Sequence, residues 1–306
     1  MKERARGGSL GRPARFGRDV SEERGEVGVE GGVIRYRLLG DGERTLVLLH
    51  GGPGAGSLYL KPLERLAGPD RRVVVYDQLG CGDSYRPEDA SLWRADRFVD
   101  ELEALRDHLG LDRFDLYGHS WGGMLATDYA LAHQEHLRSL VLASTIADAA
   151  LLRREMARLL EDFSAEIRER LRRHEEAGTT ESAEYQDAIM AVYRVHLCRC
   201  DPWPPEVVKT FEDFAMDVYV PMWGPSEFAY DGNLSDWDRL DRLHEIRVPT
   251  LITVGRFDEL TPACSEQIRE RISDSQLVVF EEGSHMTFWE EPERYLAVVD
   301  EFLRKT

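Results

Sequence analysis

Long apolar runs are missing from this 306-residue chain: no stretch of about 18 consecutive apolar residues occurs, so the sequence predicts no membrane span. Cysteine is scarce and unpatterned. Cys81, Cys198, Cys200 and Cys264 include no C-x-x-C pair, and the C-x-C of Cys198 and Cys200 has no second pair near it. Zinc is therefore not expected, and reduced thiols in a cytosol are the plain reading. Basic residues are in deficit, with 39 Lys and Arg against 57 Asp and Glu and a formal charge of -18. That argues against nucleic acid as a partner, which calls for a clustered basic surface. The acidic surplus favours solubility and cationic ligands. The first nineteen residues are rich in Arg and Gly but lack the apolar stretch of a secretory signal. Residues 1–22 are expected to be a disordered tail, with a transit peptide or an over-extended translation start as alternatives.

What is present is an ordinary globular composition, 42% hydrophobic and 31% charged, long enough for one large α/β domain with an insertion or for two modest domains. β-rich runs at Glu26–Glu30 and Val33–Leu39, parted by Gly31-Gly32, predict an opening hairpin. Thr45–Leu49 and Arg72–Tyr76 are too continuously apolar for strands exposed on one face and predict central strands of a largely parallel sheet. Helical spacing of Phe98, Val99, Leu102, Leu105 and Leu109 predicts a covering helix that stops at Gly110.

A strand at Phe114–Tyr117 then enters Gly118-His119-Ser120-Trp121-Gly122, and helical pattern follows to about Ala132. Leu137–Ser144 predicts another strand. From Ile146 to about Leu243 the strand pattern disappears. Leu152, Met156, Leu159, Leu160, Phe163, Ile167 and Leu171 form one amphipathic stripe, and Tyr185–Leu197 a second helical run. Strand pattern returns at Val248–Val254 and Gln276–Phe280, and a helix over Pro292–Arg304 closes the chain. Strand–helix alternation on both sides of the insertion predicts one interrupted α/β domain, with a core at 23–145 and 244–306 and a helical cap at 146–243.

Gly-x-Ser-x-Gly between a strand and a helix is the setting of a nucleophile elbow, and it makes Ser120 a candidate nucleophile. A serine hydroxyl needs a base, and the base needs an acid to orient it. Asp258, after the strand that leads through Val254, and His285, just after the last strand, stand in the order Ser, Asp, His at the same sheet edge. Taken singly, Ser120 is equally a helix N-cap, Asp258 a turn residue and His285 a loop histidine. The agreement of order and strand-end placement favours the joint reading. His50-Gly51-Gly52-Pro53-Gly54 follows a strand as an oxyanion-hole loop should, with the backbone N–H groups of Gly52 and Trp121 as the candidate donors. A phosphate-binding turn is disfavoured, because neither Gly-Lys-Ser/Thr nor G-x-G-x-x-G follows. His50 is assigned to support of its glycine loop, and His119 to the variable position of the elbow.

These pieces, with Tyr76-Asp-Gln-Leu-Gly-Cys-Gly82, Gly255-Arg-Phe-Asp-Glu-Leu-Thr-Pro262 and Gly283-Ser-His285, resemble the proline iminopeptidases, serine peptidases of the α/β-hydrolase fold. The similarity runs from about residue 26 to 304 and is greatest to the branch of tricorn-interacting aminopeptidases and amino-acid amidases. It implies an α/β-hydrolase fold, a mostly parallel central sheet with a helical cap insertion, and no cofactor. It extends into Met222-Trp-Gly-Pro-Ser-Glu-Phe228 and implies that Glu227 and Glu259 bind the free α-amino group of the substrate. Two carboxylates hold an ammonium by charge-assisted hydrogen bonds and fix the neighbouring carbonyl against Ser120. Tyr219 and Trp223 are candidates for the pocket wall. Many members carry Arg where this chain has Leu79, and Asp83 replaces a residue that is often basic or polar, so the first residue of the substrate stays open.

The expectation is thus a serine aminopeptidase that removes one N-terminal residue, proline among the candidates, from short peptides through an acyl-enzyme. An amino-acid amidase, or an esterase or lactonase of the same fold, is the alternative.

Overall fold

The computed structural model describes residues 20–226 and 228–306. Of the tail expected over residues 1–22, residues 1–19 lie outside that range. The opening hairpin begins earlier than its residue pattern indicated: β1 (Glu22–Val29) pairs antiparallel with β2 (Gly32–Leu39), because the polar residues Glu22 to Gly25 also join the ladder. Then come β3 (Arg44–Leu49), β4 (Arg71–Asp77), β5 (Phe114–His119), β6 (Leu137–Ala143), β7 (Thr250–Gly255) and β8 (Ser275–Phe280). The eight strands form one sheet in the order β1-β2-β4-β3-β5-β6-β7-β8. β2 meets β4 antiparallel, and every pairing from β4 through β8 is parallel.

The continuous apolar strands are buried on both faces, and their period of two splits them between two cores. Val47 and Leu49 of β3 join Phe98, Leu102 and Leu105 of α1 (Ala95–His108) and the small residues Ala126 and Ala130 of α2 (Trp121–His133). Leu46 and Leu48 point the other way, into a core shared with Leu60 and Leu63 of the short 3₁₀ segment Leu58–Leu66 and with the C-terminal helix. Each of these buried Val, Leu and Phe side chains contributes about 1.5–3 kcal/mol. Gly110 ends α1 at a φ of 61°, as its position at the end of the stripe predicted.

Between β6 and β7 the chain runs through α3 (Ala149–Leu160), α4 (Ala165–Ala177), α5 (Ala183–His196), α6 (Pro205–Glu212) and α7 (Met216–Met222). The apolar stripe from Leu152 to Leu171 is not one helix. It breaks at residues 161–164, where the hydroxyl of Ser164 accepts the Ile167 N–H and starts α4 afresh. The two helices pack into different clusters, Leu152 and Met156 with the sheet core and Leu171 against Tyr185 and Ile189 of α5, and periodicity alone does not register the cap between them. At the neck of the insertion, Ala149 N–H donates to the Trp237 carbonyl and Arg239 N–H to that of Ala147. The remaining helices are α8 (Pro262–Arg269), α9 (Thr287–Glu290) and α10 (Pro292–Lys305). Leu296, Val299 and Leu303 of α10 close the second core. No helix of the described residues is long and apolar enough to cross a membrane.

Candidate active site

β5 ends at His119, and the chain turns on Ser120 at φ 57° and ψ −124°, outside the regions open to most L-residues. The turn is held by Ser120 N–H donating to the Ala143 carbonyl (3.0 Å), and the Ser120 carbonyl accepts the Thr145 hydroxyl (2.9 Å). Ser120 occupies the N-cap position of α2, but its side chain makes no capping hydrogen bond to the helix. Glycine on either side is a steric requirement. A Cβ at Gly118 would lie 2.2 Å from the Gly122 carbonyl oxygen, and one at Gly122 would lie 2.4 Å from that of Leu49.

β7 delivers Asp258 to the same edge. Its Oδ1 accepts both the Leu260 N–H (2.9 Å) and the His285 Nδ1–H (2.8 Å), so the aspartate is at once a turn residue and the partner of the histidine. That bond places the proton on Nδ1 and leaves Nε2 as the basic atom on the cavity side. The Nε2 atom lies 3.9 Å from Oε1 of Glu259, which is itself 4% exposed. The backbone of His285 is gripped by the insertion: its N–H donates to the His196 carbonyl and Met286 N–H to that of Leu197, each at 3.0 Å. His196 also binds the Phe257 carbonyl through Nδ1 (2.7 Å), so the end of α5 touches both the aspartate loop and the histidine loop.

The glycine loop is braced as expected of His50, with a partner that the sequence did not single out. His50 Nδ1–H donates to the Gly51 carbonyl, and its Nε2 accepts Gln78 N–H, each at 3.0 Å. The amide of Gln78 donates to the His50 carbonyl and accepts the Trp121 indole N–H, each at 2.9 Å. Burial holds His50 below its usual pKa, in keeping with a neutral bracing ring. Among the described residues the backbone N–H groups of Gly52 and Trp121 donate to no protein group, and the second stands at the N-terminus of α2.

A cavity of ≈ 390 Å³ lies over this edge, lined by Gly52, Ser120, Glu259 and His285 from the sheet side and by Tyr193, Phe214 and Tyr219 from the insertion. Tyr219 therefore stands on the wall. Trp223 does not: it is buried behind Tyr219, stacked on that ring at 6.4 Å and packed on Tyr230 at 4.2 Å. The i, i+4 spacing from Tyr219 puts Trp223 one helical turn farther back, where it supports the wall. Glu227 lies outside the described residues. Among those residues no group of three or more His, Cys, Asp or Glu is arranged to hold a metal ion.

The family model for the alpha/beta hydrolase fold matches residues 44–292. A proline iminopeptidase of Saccharolobus solfataricus is 42% identical over 270 residues, which cover 88% of this chain and 87% of that protein. The chain belongs to the proline iminopeptidase family. Membership makes it a serine hydrolase of the α/β-hydrolase fold. Among solved structures, a proline iminopeptidase of Mycobacterium smegmatis superposes with a TM-score of 0.85 at 34% identity, over 92% of this chain and 98% of that one. VinJ superposes with a TM-score of 0.89 at 38% identity, over the same shares.

Proposed function

We propose that the protein is a serine aminopeptidase that removes the N-terminal residue, proline in the first instance, from short peptides. One observation carries the reading: His285, held by buried Asp258 at 2.8 Å, lines one cavity with the positive-φ Ser120 and the Glu259 carboxylate. The proline iminopeptidases among the relatives support proline as the first residue tested. In this reading the carboxylates of Glu259 and Glu227 hold the α-ammonium by charge-assisted hydrogen bonds and fix the carbonyl carbon over Ser120. Two carboxylates suit a prolinium, with two N–H donors, as well as a primary ammonium with three. His285 takes the Ser120 proton, and Asp258 stabilises the imidazolium. The oxyanion develops against the N–H groups of Gly52 and Trp121, each such donor lowering the barrier by about 2.7–4 kcal/mol. His285 then protonates the leaving amine, and water releases the acyl group. The helices of residues 146–243 act as a cap that admits short chains and excludes folded ones.

The test compares Ser120→Ala and Glu227→Ala with the parent on a panel of aminoacyl chromogenic amides including prolyl, alongside a simple p-nitrophenyl ester. Ser120→Ala abolishes turnover of every substrate. Glu227→Ala lowers kcat/KM on free-amine substrates by about 100-fold and spares the ester. Equal losses on amide and ester overturn the amine anchor, and faster turnover of amino-acid amides than of peptides assigns the chain to amidases.

A further inference from the structure

His119, the residue before Ser120, bonds to two other parts of the site. Gly51 N–H donates to the Tyr59 hydroxyl oxygen at 2.7 Å, so the tyrosine has one proton left to give. Its other partner is His119 Nδ1, at 2.8 Å. On the far side of the ring, His119 Nε2 stands 2.9 Å from the His285 carbonyl oxygen, which only accepts, so Nε2 carries the proton and Nδ1 is bare. Donor and acceptor assignments made from the two ends agree. Burial keeps His119 well below its usual pKa, so the ring is neutral as this chain of bonds requires. The rings of His119 and His285 are 4.6 Å apart, and the Ser144 hydroxyl adds a longer bond of 3.4 Å to the same His285 carbonyl.

We propose that Tyr59 and His119 form a positioning relay that sets the oxyanion loop and the base in register with each other across Ser120. The proposal rests on the roles given above to Ser120 and His285. Three elements otherwise separate in sequence are thereby tied by one uninterrupted path, from Gly51 through Tyr59 and His119 to His285. Neither relay residue transfers a proton to substrate. The competing account is that the two are merely cavity wall, since both line it. The accounts differ in what they move: a wall residue changes KM and discriminates among substrates, whereas the relay changes kcat alike for all of them.

The experiment measures kcat, KM, thermal midpoint and the rate of Ser120 labelling by an active-site phosphonate for Tyr59→Phe, His119→Leu, His119→Gln and the double variant Tyr59→Phe/His119→Leu. Tyr59→Phe keeps the ring on the wall and cuts the path. Both single cuts lower kcat by about 100-fold on amide and ester alike and leave KM within about threefold, by analogy with loss of an oxyanion donor. The double variant is no worse than the poorer single, since one path is cut once or twice. A glutamine at 119 offers an oxygen to Tyr59 and an N–H to His285, so His119→Gln recovers most of the lost kcat. The relay is overturned if KM alone moves, if folded Tyr59→Phe keeps its kcat, or if His119→Gln with an unchanged midpoint is as poor as His119→Leu. Failure of the underlying site reading shows itself differently, as resistance of the unmodified enzyme to the phosphonate.

Discussion

Replacing Glu259 by glutamine keeps the shape of the side chain and removes its charge, which tests the proposed hold of that charge on a substrate amine. Glu259 is 4% exposed and lines the cavity beside His285, so little water screens it. An ammonium brought into such a site loses a charge-assisted hydrogen bond and is left partly uncompensated in the variant. The cost is about 2–4 kcal/mol, or about 30- to 900-fold in kcat/KM. Stability runs the other way. A buried carboxylate is costly to desolvate and its amide is less so, and the thermal midpoint of Glu259→Gln is therefore expected to stay level or rise. The assay pairs a prolyl chromogenic amide with a p-nitrophenyl ester that has no amine, at saturating and limiting substrate, together with a thermal melt. A loss confined to the amine substrate, with the melt unchanged or higher, supports the reasoning. An equal loss on the ester refutes it, because Glu259 lies 3.9 Å from His285 and would then be acting on the base instead.

Gly122→Ala tests the elbow sterically: the added Cβ would meet two backbone oxygens, those of Leu49 at 2.4 Å and His50 at 2.7 Å, neither of which is a flexible side chain. Overpacking of that kind costs about 1–3 kcal/mol and should lower the melting midpoint by about 1.5–5 °C while reducing kcat, and a melt identical to the parent would count against the close strand–helix approach. Acid stability follows from His50 and His119, both held below their usual pKa by burial. The unfolded chain takes up protons at these rings below about pH 6.5, where the folded chain still resists them, so stability is full above that pH and falls beneath it, by up to about 1.4 kcal/mol per pH unit for each ring. Urea midpoints measured from about pH 7.5 down to about pH 5 should show a shallower fall for His119→Gln than for the parent. An unchanged slope would mean that His119 is protonated in the folded protein.

Much of this molecule is written in local pattern. Continuous apolar runs such as Leu46–Leu49 and Val73–Tyr76 had to be strands buried on two faces, and their chain order around the helical stretch implied an interrupted α/β domain. Ser120, Asp258 and His285 were brought to one sheet edge by the same logic, because each follows a strand within a few residues and parallel strands deliver their ends to one edge. The glycines at 118 and 122 were legible for a related reason: close packing of β5, α2 and β3 leaves no room for a side chain.

Tertiary structure alone decided the rest. Tyr59 bonds to His119 across 60 positions and His119 to His285 across 166, and nothing periodic marks such pairs in a sequence. Gln78 and His196 escaped notice likewise, since one polar residue in a loop or at a helix end looks like any other until the strand order brings its partner to it. A motif gives neighbours but not which of them faces a cavity, as with Tyr219 and Trp223, and the helix start at Ser164 is hidden because an apolar stripe runs on across the break. Sequence set which side chains are apolar and where the chain turns sharply, because those demands act on a residue and its near neighbours. Which polar groups meet was left to the fold, because a hydrogen bond depends on where two distant backbones have been put.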